Sequence, residues 1–291
     1  MSEQPIEIRA LSWNLFHGRD FPPDPALLTW RSRLLRISER NRTHIQVNRD
    51  LLPEFGEILA NLDWDLVLLQ ECPPHWAAPL AAVCRAEVHR SLTSRNSLAP
   101  LRRALAALNP DLIASGEGGS NVLLVRPSRV GSISETRELV LEHGPRPERR
   151  TMAFSRLGCG ICVAGLHASA GAALRAAAER EVLAAAGAAS EWAGGAPLIF
   201  GGDLNLRPAR SDAFATLAEH FGLAAPTGPQ AIDHLLCRGL VVREPPRALE
   251  PAAREVRDGH SGLAIRLSDH APVSAVFTGV GEPDARGPAR G

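Results

Sequence analysis

The sequence predicts a layered fold of helices on β-sheet, α+β or α/β, and three observations carry that prediction. Short apolar runs recur and stop at polar residues, helical stretches interleave with them irregularly, and no internal repeat is visible. The first run predicts a strand over 6–13. Apolar spacing then predicts a helix over 47–62, and the run Leu66 to Leu69 a buried strand over 66–70. Helical spacing returns over 79–87 and 98–108. Strands are expected over 121–126, 137–141, 152–157 and 161–166. Gly171 to Trp192 is alanine-rich without internal proline and stops at Gly194-Gly195, which predicts a helix and its C-terminal stop. A strand over 198–201, a helix over 211–220 and strands over 232–237 and 271–278 complete the pattern.

A chain of 291 residues with 45% hydrophobic content can bury a large core, and no linker divides it, so one domain is expected over 6–278. The segment 279–291, rich in Gly, Pro and Arg, is expected to be a disordered tail. No apolar run is long enough to span a bilayer, and Met1 to Pro5 lack the features of a secretory signal, which points to the cytoplasm. No obligate protein partner is evident. The formal net charge is zero, with arginine as the sole basic residue besides histidine, so bulk attraction to nucleic acid is not indicated. Arginines do cluster at 31, 33, 36, 40 and 42 and again at 146, 149 and 150, where a solvated face is the plain alternative to a binding patch. Five cysteines argue against a disulfide framework. Cys159-Gly160-Ile161-Cys162 has no second ligand pair for zinc and leads into a strand, so it reads as a turn.

The polar ends of the apolar runs are where chemistry is expected. Leu198-Ile199-Phe200 runs into Gly201-Gly202 and then Asp203 and Asn205, an acid and an amide two residues apart. In extended chain that spacing lets both converge on one phosphate or one water, although a turn satisfying local backbone donors would have the same sequence. Five more runs end in this way: at Asn14, at Gln70-Glu71, at His167, at Asp233-His234, and at Asp269-His270 before the run Ala271 to Phe277. Only oxygen ligands, amides and imidazoles stand at these ends. Buried charged groups are costly unless paired or metal-bound, so core packing alone does not explain the set.

Taken together, Trp13-Asn14, Leu69-Gln70-Glu71, Gly119-Ser120-Asn121, Gly165-Leu166-His167, Gly202-Asp203-Leu204-Asn205, Ile232-Asp233-His234 and Ser268-Asp269-His270 resemble, in order, the blocks of the endonuclease/exonuclease/phosphatase superfamily. The resemblance spans roughly Ile6 to Thr278. It implies two stacked, mostly antiparallel β-sheets flanked by helices, with the site where strand ends meet, and phosphoester hydrolysis aided by Mg²⁺ or Mn²⁺. Glu71 is then the first metal ligand, a hard carboxylate assisted by Asn14, and Asp269 is either a further metal contact or a histidine's partner. Asp203 orients and activates water, and Asn205 and Asn121 hold the phosphate. Asp233 fixes the tautomer of His270, and His167 and His270 stabilise developing charge. Arg150 is the candidate phosphate-directed arginine, with Arg149 as its rival. His234 stands where an apolar or aromatic residue is common and is left outside the site.

The chain contains no tyrosine, whereas several nucleases of the superfamily set one against the scissile phosphate. Nucleic acid therefore leads only narrowly as substrate over a lipid headgroup or small phosphorylated metabolite. A non-catalytic binding module is the third reading, opposed by the intact set of site residues. The stretch Gly18 to Leu51 exceeds what the core needs and reads as a surface loop, either shaping a substrate groove or tolerated without a role.

Overall fold

The computed structural model describes residues 6–93, 99–111, 119–142 and 149–279. Its first half runs β1 (Glu7–Asn14), α1 (Trp30–Leu35), the short pair β2 (Glu39–Arg40) and β3 (Ile45–Gln46), α2 (Leu52–Asn61), β4 (Leu66–Cys72), α3 (Ala77–Cys84), β5 (Glu87–Leu92) and α4 (Ala99–Leu108). There follow β6 (Ser120–Val125), the one-turn α5 (Pro127–Val130), β7 (Ile133–Glu142), β8 (Arg150–Leu157) and β9 (Cys162–His167). The remainder is α6 (Arg175–Ala193), β10 (Leu198–Asp203), α7 (Ala213–Phe221), β11 (Asp233–Arg238), β12 (Leu240–Ala248), β13 (Glu255–Arg257), β14 (Ala264–Arg266) and β15 (Val273–Gly279).

A six-stranded sheet has the order β12-β15-β1-β4-β6-β5 and a five-stranded sheet the order β11-β10-β9-β8-β7. Only β1 with β4 and β9 with β10 run parallel; the other pairs in these two sheets are antiparallel. Side-chain alternation along each strand builds the layers. Ile8, Leu66, Leu68, Leu123 and Phe277 of the first sheet meet Val163, Ile199 and Leu235 of the second between the sheets. On the outer face of the first sheet, Leu11, Trp13, Val67 and Leu69 pack on Phe55 and Leu59 of α2 and Leu80 of α3. Phe154, Leu166, Phe200 and Leu236 pack on the alanine face of α6 and on Leu217 of α7. Each large apolar side chain buried here contributes roughly 1.5–3 kcal/mol, so these three interiors dominate stability.

Two glycines let the second sheet close. A Cβ on Gly201 would lie 2.2 Å from the carbonyl oxygen of His234, and one on Gly202, at φ +125°, would lie 2.0 Å from that of Leu166. Only a residue without a side chain allows β9 and β11 to approach β10 there.

The elements depart from the sequence expectation in physical ways. The helix expected over 79–87 stops at Cys84, because Arg85 turns left-handed at φ 53° and Glu87 opens β5. The helix expected over 47–62 begins only at Leu52, whose N–H is held by Asp50 Oδ1. β12 lies at a sheet edge, and its Pro245-Pro246 pair hides it from strand patterning. Gly279, assigned to the tail, closes β15 instead, and 280–291 lies outside the described residues. The stretch Gly18 to Leu51 is not a bare surface loop: it contains α1 and the β2–β3 hairpin, and buries Asp20, whose Oδ2 accepts the Val47 N–H at 3.0 Å.

Two stability measurements follow. Gly202→Ala should cost roughly 2–4 kcal/mol in urea unfolding, whereas Gly195→Ala, with open space around its Cα, should stay within about 0.5 kcal/mol; equal effects would contradict the close-approach account. Burial pushes the Asp20 carboxyl up to about 8 against the lowering effect of the Val47 N–H. The folded state therefore binds a proton that the unfolded state has released, and Asp20's contribution, complete below about pH 4, is lost as pH rises towards 8. Asp20→Asn should flatten the decline in unfolding free energy between pH 5 and 8, and an unchanged slope would refute this role.

Candidate active site at the strand ends

Strand register brings the polar ends together. In the second sheet Asp203 pairs with His167 on one side and with Asp233 on the other, so the three stand in one row. Residue parity sends Asp203 inward with Ile199, and Asp233 inward with Leu235. His234 has the opposite parity. It lies against Phe214 of α7, and its ring nitrogens contact Thr227 N, Leu206 O and Ala231 O, a structural role on the outer face. In the first sheet Ser12 and Asn14 follow Ile8 and Ala10 inward, and Asn14 Nδ2 donates to Asp203 Oδ2 across the gap at 3.0 Å.

Asp203 is 2% exposed. Burial raises its pKa above the usual carboxylate range, and the charge of Asp233 raises it further; His270, Asn14 and the Asn205 N–H act in the other direction. For His270, burial alone would lower the pKa, but the 2.8 Å bond from Nδ1 to Asp233 Oδ2 and the carboxylates of Asp233, Asp203 and Asp269 outweigh it and hold the ring charged. His270 Nε2 lies 3.9 Å from Asp203 Oδ2. His167 goes the opposite way. Burial, then Arg150, His17 and His270, depress its pKa well below the ordinary value, so it is neutral. Arg150 Nη1 lies 3.4 Å from His167 Nδ1, and since a guanidinium can only donate, Nδ1 accepts and Nε2 carries the proton. That N–H faces Asp203 Oδ2 at 3.5 Å and Glu71 Oε1 at 3.8 Å.

Glu71 reaches the cleft through an irregularity. Strict alternation would send it outward with Val67 and Leu69, but the β4–β6 register slips between Leu69 and Cys72, and Glu71 adopts φ 49°. Its Oε2 lies 3.2 Å from His17 Nε2. Phe16, His17, Asn205 and Ser268 are likewise left-handed, so among the described residues five of the eight non-glycine residues with positive φ sit at these strand ends. Such strain persists where geometry matters more than stability, which favours a functional reading of the cleft. His17 was not apparent in the sequence, because it lies three residues beyond the strand end in a strained turn that no periodicity marks.

The other candidates take distinct places. Asn205 donates its side-chain N–H to Ala168 O and its backbone N–H to Asp203 Oδ1, bracing the row. Asn121 faces inward on β6, donates to Thr151 O at 2.7 Å, and keeps a buried Oδ1 without a hydrogen-bond partner. Arg150, beside His167, is the arginine at the site; no contact joins Arg149 to these residues among those described. Asp269 follows Ser268, whose hydroxyl donates to Asn14 O and accepts the His270 N–H, and burial raises its pKa.

Two groups of ligand atoms bear on a metal. Asp203, Asp233 and His270 offer atoms within 4.8 Å of one another, and here the His270 ring is bonded through Nδ1 to Asp233 Oδ2 at 2.8 Å. Glu71, Asp269 and the Oδ1 of Asn14, which accepts the Phe16 N–H at 2.9 Å, are oxygen donors of the kind that suits a hard divalent cation, and the charge of Glu71 reaches Asp269.

Comparison with known proteins agrees with this architecture. A comparison with curated sequences gives no match. Among solved structures, an endonuclease/exonuclease/phosphatase family protein from Bacteroides thetaiotaomicron superposes with a TM-score of 0.61 at 15% identity, covering 95% of this chain and 96% of its own. A mannosyl-6-phosphatase from the same organism gives 0.59 at 15% identity over 93% and 99% of the two chains. TDP2 from C. elegans gives 0.56 at 17% identity over 94% of this chain and 75% of its own. The family model described as Endonuclease/Exonuclease/phosphatase family matches residues 11–270, and with that span the chain belongs to this family of divalent-metal-dependent phosphoester hydrolases.

Proposed function

We propose that the chain is a phosphodiesterase acting on nucleic acid, with the cleft between the two sheets as its active site. The observation that carries this reading is the meeting of a buried carboxylate of raised pKa, Asp203, with a charged imidazole, His270, and a neutral one, His167. Each suits one demand of phosphoryl transfer. Asp203 takes the proton of the attacking water, held in position by Asn14 and the Asn205 N–H. His270, kept cationic by Asp233, neutralises charge on the phosphoryl oxygens, and Nε2–H of His167 donates to them. Arg150 sets the orientation of His167 and adds positive charge, and Asn121 and Asn205 line the phosphate's position. Glu71, with Asn14 and Asp269, would hold Mg²⁺ or Mn²⁺. When bound, such a cation supplies Lewis-acid stabilisation of the phosphate and the leaving oxygen.

Support for nucleic acid comes from Arg36 and Arg40, which with His260 line a cavity of about 520 Å³; Arg49 and Asp258, also in its wall, pair with each other at 3.7 Å. A small phosphorylated substrate or lipid headgroup is the second reading. It is favoured by the zero net charge, the absence of tyrosine, and the shared fold of a mannosyl-6-phosphatase. A silent binding module is disfavoured, since Glu71, Asp203 and His270 are all present and drawn to one cleft.

Purified protein should hydrolyse a phosphodiester with added Mg²⁺ or Mn²⁺ and lose that activity to exhaustive chelation. Asp203→Asn and His270→Ala should each lower turnover by roughly a hundredfold or more at a similar thermal midpoint. Hydrolysis that survives chelation would remove the metal from the mechanism, and near-parental turnover would remove the substituted residue. Substrate class is read from ionic strength. If a strand is bound, apparent affinity should fall steeply between about 50 and 200 mM salt, whereas flat dependence together with intact supercoiled plasmid would favour the small substrate.

A further inference from the structure

Next to the catalytic row lies a second cavity, of about 320 Å³, that the mechanism above does not use. It is lined by Asn205 and Ile232, which flank the Asp203–Asp233 pair, and by Arg175, Arg207 and Arg210. The three arginines are exposed. Among the described residues none of their guanidinium groups has an ion-pair or hydrogen-bond partner, in contrast to Arg9, Arg156 and Arg266, which are held by carboxylates. The carboxylate of Glu179, on the same helix as Arg175, is committed to Ser211. Three like charges around one concavity repel one another and go uncompensated. Arg175 adds a further cost by standing in the first turn of α6, a 19-residue helix with no acidic residue there, where the helix dipole is also positive. Both costs vanish when an anion occupies the cavity, and the planar guanidinium fork matches phosphate oxygens.

We propose that this cavity is a subsite for a second phosphate group of the substrate, adjacent to the one that is cleaved; the assignment rests on the hydrolase reading above and deepens it. Asn205 joins the two positions, since its backbone N–H braces Asp203 and the residue is part of the cavity wall. The second phosphate is either the neighbouring phosphodiester of a strand or a phosphomonoester elsewhere on a small molecule.

The test replaces Arg175, Arg207 and Arg210 together by alanine, with the thermal midpoint as the check on folding, and compares three metal-loaded assays. These use a single-stranded oligonucleotide, a sugar bisphosphate, and bis(4-nitrophenyl) phosphate, which has only one phosphate. The variant should lose at least about tenfold in kcat/KM on a substrate with two phosphates, through KM rather than kcat, and less than about threefold on the aryl diester. Loss confined to the oligonucleotide identifies a strand, and loss confined to the bisphosphate identifies a small substrate. An equal loss on the aryl diester, or none on either two-phosphate substrate, would overturn the proposal. Titration of inorganic pyrophosphate into metal-free parent and variant separates this failure from that of the hydrolase reading. About tenfold weaker binding by the variant, without hydrolysis of any ester by the parent, would retain the anion site and sink the hydrolase. Equal binding in an active enzyme would do the reverse.

Discussion

Everything at this site depends on keeping one carboxylate, that of Asp203, in the gap between two sheets. An isolated buried charge costs several kcal/mol, so the surroundings must supply donors and countercharge. They come from both sheets: Asn14 from β1, the Asn205 N–H from the end of β10, and His270 from the segment that enters β15. The bond between Asn14 and Asp203 thus ties the sheets at the point where chemistry is expected. Trp13 Nε1 bonded to His270 O and Ser268 Oγ bonded to Asn14 O fix the same seam from the outside.

Opposite protonation of the two histidines results from their neighbours alone. Both are largely buried, yet His270 is gripped by Asp233 while His167 is flanked by Arg150 and His17. A carboxylate at one ring and a guanidinium at the other divide a single residue type into a cation and a neutral donor. Stability is given up to arrange this. Glu71, Asn205 and Ser268 are left-handed without being glycine, and Asp233 Oδ1 is buried without a hydrogen-bond partner. The apolar layers on both sides of each sheet offset those costs.

Much of this geometry is legible in the chain because strands have period two. The runs ending at Asn14, His167 and Asp203 read as buried strands, and the order of the sheets sets their ends side by side. Parity also separates Asp233 from His234, adjacent residues with different surroundings. Features that defy periodicity are not legible. His17 lies in a strained turn, Glu71 faces the cleft only through a bulge, and β12 is masked by its prolines. The choice between Arg149 and Arg150 depends on which guanidinium meets His167, a tertiary fact. The structure of Gly18 to Leu51 is equally hidden, since neither the buried Asp20 nor the β2–β3 pair has a local pattern strong enough to announce it.

Strand order has a consequence for biosynthesis. β15, the last strand described, does not close the first sheet at its edge but inserts between β12 and β1. While the ribosome is still adding residues, β1, β4 and β6 can pair and the second sheet can assemble around β10, yet a central slot stays open until β15 emerges. His270 arrives with that strand. Until that strand is in place, Asp203 lacks the imidazole that lies 3.9 Å from its Oδ2, and the row at the strand ends is incomplete.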